Sequence, residues 1–260
     1  MRESGIVVVK LGGRTQADPA LPGVLAALWG ATGGQLVLVH GGGDQISALQ
    51  RLGGEEPTFI GGRRVTTPMA LELVRMVLSG LANKELVSAL NATAVPAVGI
   101  SGEDGALLSA EAIDVGTFGF SGTPVSVDPR VVETLLSAGF LPVISPVARN
   151  ADWTVGGALN VNGDDAAAAI ATRLGATELF FLADVAGVLD AHDDCFAALT
   201  VDDAQQLVAS GVVGGGMAAK LDAGHRALLG GVSRVRIGDL AALTAPGAGT
   251  HLIFSFAGRS

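Results

Sequence analysis

The chain of 260 residues contains no tyrosine, a single cysteine and only three lysines, and aromatic residues make up just 4% of it. Each shortage excludes something. Cys195 alone cannot close an intrachain disulfide, so a disulfide scaffold is ruled out and a reducing, cytoplasmic compartment is expected. No window approaches the roughly 18 to 20 uninterrupted apolar residues of a membrane helix, so no membrane association is expected. The first residues, Met-Arg-Glu-Ser-Gly, lack the basic start and long apolar run of a signal peptide. Basic residues are outnumbered, 16 Lys+Arg against 25 Asp+Glu, and the net charge of −9 argues against nucleic acid as a partner.

What the chain has in quantity is apolar residues and glycine. With 49% hydrophobic and 16% charged residues it can bury a sizeable core, which rules out disorder. Short β-branched runs alternate with longer Ala/Leu stretches of helical period, the pattern of βαβ units. The fold class is therefore α/β with a mainly parallel sheet. Strands are expected near 5–11, 35–40, 96–100, 141–145, 178–182, 234–237 and 251–254. Helices are expected at 21–31, 44–52, 68–90, 129–138, 164–174, 201–210 and 217–229. Between 101 and 127, short segments punctuated by glycine read as hairpins laid beside the main sheet. A strand restarts after Gly175, so two lobes, 1–175 and 176–260, are expected.

The 38 glycines cluster between apolar segments, and the clusters carry the candidate chemistry. Val7-Val8-Val9-Lys10-Leu11-Gly12-Gly13 ends an apolar strand in a cation and a glycine pair, at the carboxyl end where parallel sheets bind ligands. A lysine buried there needs an anion, which a phosphate would supply; equally, a strand-end lysine can reach solvent beside a turn. His40-Gly41-Gly42-Gly43-Asp44 leads a second strand into a helix, an anion-binding geometry that is neither a Walker A loop nor a spaced dinucleotide fingerprint. His40 itself reads as structural rather than as a general base.

Gly61-Gly62-Arg63-Arg64-Val65-Thr66-Thr67-Pro68 places two guanidinium groups before a long helix; they either grip a carboxylate or are solvated, with Thr67 as the helix cap. In Asn160-Val161-Asn162-Gly163-Asp164-Asp165, one aspartate is expected to cap the following helix, and the other to hold lysines if it meets Lys10 or Lys220 in space. The segment 184–189 reads as a strand-to-turn junction with room for a flat ligand, or as an ordinary βα turn. Gly214-Gly215-Gly216 precedes a helix bearing Lys220. Two of the three lysines thus flank glycine clusters, one in each lobe, as expected if two compact charges converge on one phosphoryl group. Lys84, in mid-helix, reads as structural.

The ordered set KLGG, HGGG, GGRRVT, SGEDG, NVNGDD, LADVAGVLD and GGGMAAK resembles the amino acid kinase family, from Lys10 to Lys220, and most closely its branch acting on N-acetyl-L-glutamate. The resemblance implies a three-layer αβα sandwich. It also implies phosphoryl transfer from ATP, with Mg²⁺ held mainly through the nucleotide's phosphates, to the side-chain carboxylate of N-acetyl-L-glutamate, a step of arginine biosynthesis. By position in the motifs, Lys10 and Lys220 would stabilise the migrating phosphoryl group and Asp164 would orient both. Gly12, Gly13, Gly42 and Gly43 would line the phosphate and substrate path, and Arg64 and Asn160 would hold the amino acid. The nucleotide would rest on Asp184, Val185, Ala186, Gly187, Val188 and Leu189, and on Val212, Val213 and Gly214.

Gly163 and Leu159 depart from the family's usual alanine and aromatic residue, and 191–196 looks irregular. The strand carrying Lys10 starts almost at the first residue, so a homodimer without arginine feedback is expected. Carrier-bound aminoadipate or N-succinylglutamate are alternative substrates, and a catalytically silent nucleotide-binding module is the alternative of another class.

Overall fold

The computed structural model describes residues 5–152 and 154–254. Its strands, in chain order, are β1 (Val7–Leu11), β2 (Leu36–His40), β3 (Phe59–Ile60), β4 (Arg63–Arg64), β5 (Ala97–Ser101), β6 (Leu108–Ala112) and β7 (Ser121–Val127). There follow β8 (Leu141–Ser145), β9 (Val147–Asn150), β10 (Ala158–Val161), β11 (Glu178–Leu182), β12 (Ala198–Thr200), β13 (Arg234–Gly238) and β14 (Thr250–Ile253). Eight of them form one sheet in the order β12-β14-β13-β11-β1-β2-β8-β5. From β13 to β5 every pairing is parallel, and β14 turns antiparallel against β13.

Alternation along the strands assigns the two faces. Val8 of β1 joins an apolar cluster with Ala166, Ala167 and Ile170 of the helix Gly163–Arg173. Val9 and Leu11 join another with Leu21 and Leu25 of the helix Leu21–Ala31. Helices therefore cover both faces, as a parallel sheet buried on two sides requires. Lys10 shares the period-2 face of Val8, which turns it toward the start of the Gly163–Arg173 helix.

All seven expected strands form, within a residue or two of the expected bounds, and so do the helices Leu21–Ala31, Gly43–Leu52, Arg130–Ser137, Gly163–Arg173, Val201–Ala209 and Gly215–Leu229. The helix expected at 68–90 departs: it runs to Ala92, and Arg75–Ala82 winds as a π-helix between two α-helical pieces. Thr67 caps its start by accepting a hydrogen bond from the Ala70 N–H.

The segment 101–127 does not lie beside the main sheet as hairpins. Its strands β6 and β7 pair with each other and close with β9 and β10 into a separate four-stranded barrel. The sequence reading omitted β9 and β10 because each is only four residues long and β9 starts two residues after β8 ends, with Pro146 between them. Closure leaves this small sheet without a free edge. It also sets Ser121 and Asn160 beside Arg64, because the segment after β4 adds on to it: the Thr66 N–H donates to the Phe118 carbonyl and the Phe120 N–H to that of Thr66.

Candidate active site

The centre of the site is a carboxylate between two ammonium groups. Asp164 Oδ1 lies 2.9 Å from Lys10 Nζ and Oδ2 lies 3.4 Å from Lys220 Nζ, and all three side chains are largely removed from solvent. Lys10 comes from the end of β1, Asp164 from the first turn of the Gly163–Arg173 helix, and Lys220 from the second turn of Gly215–Leu229. Burial pushes the Asp164 carboxyl upward, but the Lys10 and Lys220 charges outweigh it and hold the group below the usual carboxylate range. Burial and then the Lys10 charge push Lys220 below the ordinary lysine value, against the pull of Asp164 and Asp184. One anion against two cations leaves the centre with a positive excess, suited to an incoming phosphate.

Neither aspartate caps its helix, contrary to the expectation for one of the pair. Asn162 does so, its Oδ1 accepting the Asp164 N–H at 2.8 Å, which releases both carboxylates for other partners. Gly163 fits closely as well: a Cβ there would stand 3.1 Å from Lys10 Cε.

Beside this centre lies a pocket lined by Gly41, Gly42, Gly43, Arg64, Asn160 and Asn162, among others. Arg64 is buried and is held by neutral groups: Nη1 donates to Gln50 Oε1 at 2.7 Å, and Nη2 to Ser47 Oγ at 2.8 Å and to the Gly43 carbonyl at 2.9 Å. The Phe59 ring packs against its guanidinium, 4.7 Å from centroid to Cζ. No carboxylate among the described residues forms an ion pair with it, and burial holds its pKa below the ordinary value. A buried guanidinium without a counter-ion is a costly arrangement that an anionic ligand would relieve. Asn160 faces the same pocket, its Nδ2 donating to Thr66 Oγ1 at 3.0 Å. Thr66 belongs to the GGRRVT motif, whereas Gln50, Ser47 and Ser121, which also orient Arg64 and its strand, carry no sequence signal of their own.

The glycine clusters differ in what they offer. The Gly12 N–H is already given to the Leu182 carbonyl at 3.2 Å, so in this conformation Gly12 has no free donor for a phosphate. Gly13 approaches the next cluster, a Cβ on it standing 3.8 Å from the Gly43 N. The helices Gly43–Leu52 and Gly215–Leu229 begin at Gly42 and Gly214 with no side-chain cap, so their first N–H groups and the positive end of each helix dipole are open to an anion.

Of the nucleotide residues expected from the sequence, Asp184, Ala186, Val212 and Gly214 are exposed and Val185 and Leu189 partly so. Gly187, Val188 and Val213 are buried. The Val188 side chain sits in the core and its N–H goes to Thr250 Oγ1, and a Cβ on Gly187 would meet Cys195 Sγ at 2.5 Å. Those residues shape the turn rather than present a surface.

His40 is fully buried. Its Nδ1 lies 3.0 Å from the Gly41 carbonyl and its Nε2 3.0 Å from Asn83 Nδ2, the pattern of a neutral ring donating from Nδ1. Burial lowers its pKa from 6.5 to about 4, with the Gly41 hydrogen bond opposing and the Lys10 and Lys84 charges assisting. Lys84 is tied to Asn83 Oδ1 and to the Gly99 carbonyl, both at 3.0 Å. Both residues are structural, as their sequence context indicated.

An αβα fold that brings two lysines and two uncapped helix starts to one place, next to an unpaired arginine, defines a phosphotransferase acting on an anionic acceptor. The family model of the amino acid kinase family matches residues 5–239, and the chain belongs to that family. The acetylglutamate kinase of Wolinella succinogenes is 39% identical over 258 residues, covering 95% of this chain and 90% of that protein. The acetylglutamate kinase of Cereibacter sphaeroides is 43% identical over 238 residues, covering 90% and 80% respectively. Among solved structures, carbamate kinase from Giardia lamblia bound to AMP-PNP superposes with a TM-score of 0.75 at 17% identity, covering 98% of this chain and all of that one, a likeness of fold alone. Among the described residues no helix is long and apolar enough to cross a membrane.

Proposed function

We propose that the protein transfers the terminal phosphoryl group of ATP to the side-chain carboxylate of N-acetyl-L-glutamate. A carboxylate oxygen forms the new O–P bond as the bond from the γ-phosphorus to the β,γ-bridging oxygen breaks, giving N-acetyl-L-glutamyl 5-phosphate and ADP. The observation that carries this reading is the pair of lysines sharing Asp164 next to the unpaired, buried Arg64. Curated relatives of about 40% identity, all acetylglutamate kinases, support the substrate.

The acceptor is ionised at neutral pH and needs no general base, so positioning and charge neutralisation supply the rate. Lys10 and Lys220 meet the negative charge on the migrating group from two sides, and Asp164 keeps them apart and oriented. The open N–H groups after Gly42 and Gly214 donate to phosphate oxygens. Arg64 pairs with the α-carboxylate of the amino acid and Asn160 aligns it. Asp184, Val185 and Ala186, with Val212 and Gly214, form the nucleotide surface.

Both Asp164 oxygens are taken by lysines. Mg²⁺ would arrive on the nucleotide's own phosphate oxygens, where it supplies charge neutralisation.

A cytoplasmic homodimer is part of the same reading. Met76 and Leu81 are 60% and 50% exposed on the π-helical segment, apolar side chains that a second copy of the chain would cover. The deciding experiment for the reaction is a substrate panel with coupled ADP detection, with and without Mg²⁺. N-acetyl-L-glutamate should be turned over at least tenfold more efficiently than N-succinylglutamate, glutamate, carbamate or carrier-bound aminoadipate. A different best substrate would reassign the acceptor, and no turnover of any would reject the enzyme.

A further inference from the structure

Next to Asp164 stands a second buried carboxylate whose partners have no part in the chemistry described so far. Asp165, 5% exposed, receives Arg63 Nη2 on one oxygen at 2.6 Å and Arg226 Nη2 on the other, and Arg226 Nη1 in turn pairs with Asp222. The three charged groups come from three elements: β4, which also carries Arg64; the helix that carries Asp164; and the helix that carries Lys220. An independent contact joins the first to the last. The turn between β3 and β4 runs so close to the Lys220 helix that a Cβ on Gly62 would stand 3.5 Å from the Gly215 carbonyl oxygen.

The arrangement has mechanical content. Lys220 and Arg226 are six residues apart, about 9 Å along the helix axis, and they are held by neighbouring residues, Asp164 and Asp165. One ion pair would leave the helix free to swivel about it; two fix both its axial position and its rotation. On β4, adjacent side chains point to opposite faces, so Arg64 turns into the pocket while Arg63 turns to Asp165. A ligand gripped by Arg64 thus stiffens the same two-residue strand that Arg63 ties to Asp165. Without Asp165, Arg63 and Arg226 would be left as two partly buried like charges, which would drive the β3–β4 hairpin away from the Lys220 helix.

We propose that Asp165 is a positioning residue that couples the amino acid subsite to Lys220. Occupancy of Arg64 holds β4, β4 holds Asp165 through Arg63, and Asp165 holds the Lys220 helix through Arg226 in the orientation that phosphoryl transfer uses. The inference rests on the pocket's being the N-acetyl-L-glutamate site, and it requires each substrate to tighten binding of the other by the same factor.

The test is calorimetric titration of the whole protein with AMP-PNP and Mg²⁺, with and without saturating N-acetyl-L-glutamate, for the wild type, Asp165→Asn, Arg226→Gln and Arg226→Lys. The wild type should bind AMP-PNP at least about fivefold more tightly when the amino acid is present. Asp165→Asn and Arg226→Gln should bring that ratio close to one while each ligand's affinity alone changes less than about twofold. Arg226→Lys, which keeps the charge, should retain part of it. Arg226 is the more exposed member of the pair, so Arg226→Gln decides the matter if Asp165→Asn does not fold. A wild-type ratio of one, or an undiminished ratio in Arg226→Gln, overturns the coupling. Failure of the wild type to bind N-acetyl-L-glutamate at all would overturn the functional reading, and the coupling with it.

Discussion

Lys10, Lys220 and Asp164 form a unit in which no member is satisfied without the others. Lys10→Ala or Lys220→Ala should lower kcat by about 10²- to 10⁴-fold with a smaller change in either KM, because each charge acts mainly on the transition state. Steady-state kinetics checks this, and an unchanged kcat in both variants would remove them from the reaction. The depressed pKa of Lys220 has a consequence on the alkaline side. In the ligand-free protein its ammonium is lost at a pH below the 10.5 of a free lysine, so kcat/KM should fall on an alkaline limb that Lys220→Arg moves upward. His40 predicts the acid side of stability. Between 6.5 and about 4 the unfolded chain binds a proton that the folded chain refuses, so stability falls as pH drops through that window. The contribution is about 2 kcal/mol by pH 5, and urea unfolding at pH 7 and pH 5 should show that loss in the wild type and a smaller one in His40→Gln.

At the scale of elements, the site depends on where helices and strands start. Of the three helices that start at the site, Gly43–Leu52 and Gly215–Leu229 begin without a side-chain cap and Gly163–Arg173 is capped by Asn162, so the anion-accepting ends there are those preceded by glycine. The strand bearing Arg64 is held by its neighbours: Ser121 Oγ donates to the Arg64 carbonyl at 2.5 Å, and Thr66 forms a lone parallel β-bridge with Gly119. Gly119 has φ +60°, and a Cβ there would stand 2.3 Å from the Thr66 carbonyl oxygen. Gly119→Ala should therefore destabilise the fold by about 2 to 4 kcal/mol, read by chemical denaturation, and raise the KM for the amino acid by displacing the segment after Arg64. Arg64→Ala should raise that KM far more than the KM for ATP; loss of ATP affinity alone would mean the two substrates had been assigned to the wrong sides.

The whole molecule is built on one eight-stranded sheet, parallel except for β14 against β13, that carries its reactive groups on one rim, with a closed barrel beside the pocket that holds Arg64. Parallel pairing of β1 with both β2 and β11 brings the ends of strands from distant parts of the chain to the same level. The exposed Met76 and Leu81 predict the assembly: light scattering should give a dimer for the wild type and a monomer for the Met76→Glu, Leu81→Glu double variant. A monomeric wild type would leave those two side chains without their expected partner.

Residue order alone determined the α/β class, the seven main strands and the glycine clusters beside Lys10, His40 and Lys220, because hydrophobic period and backbone permissiveness are local properties. It also marked Lys10, Asp164, Lys220 and Arg64, since charged residues are rare in apolar, glycine-rich surroundings. It did not reveal that Asn162 is the cap, or that Asp165 joins Arg63 to Arg226. The ion pairs join side chains up to 154 positions apart, Lys10 with Asp164 being the widest, whereas the Asn162 cap is local, accepting the N–H two residues on. Neither did it show the barrel, whose β9 and β10 are too short to carry a period. The ion pairs exist only once sheet register and helix packing bring remote charges within a few ångströms, where burial makes each unpaired group costly and so selects its partner.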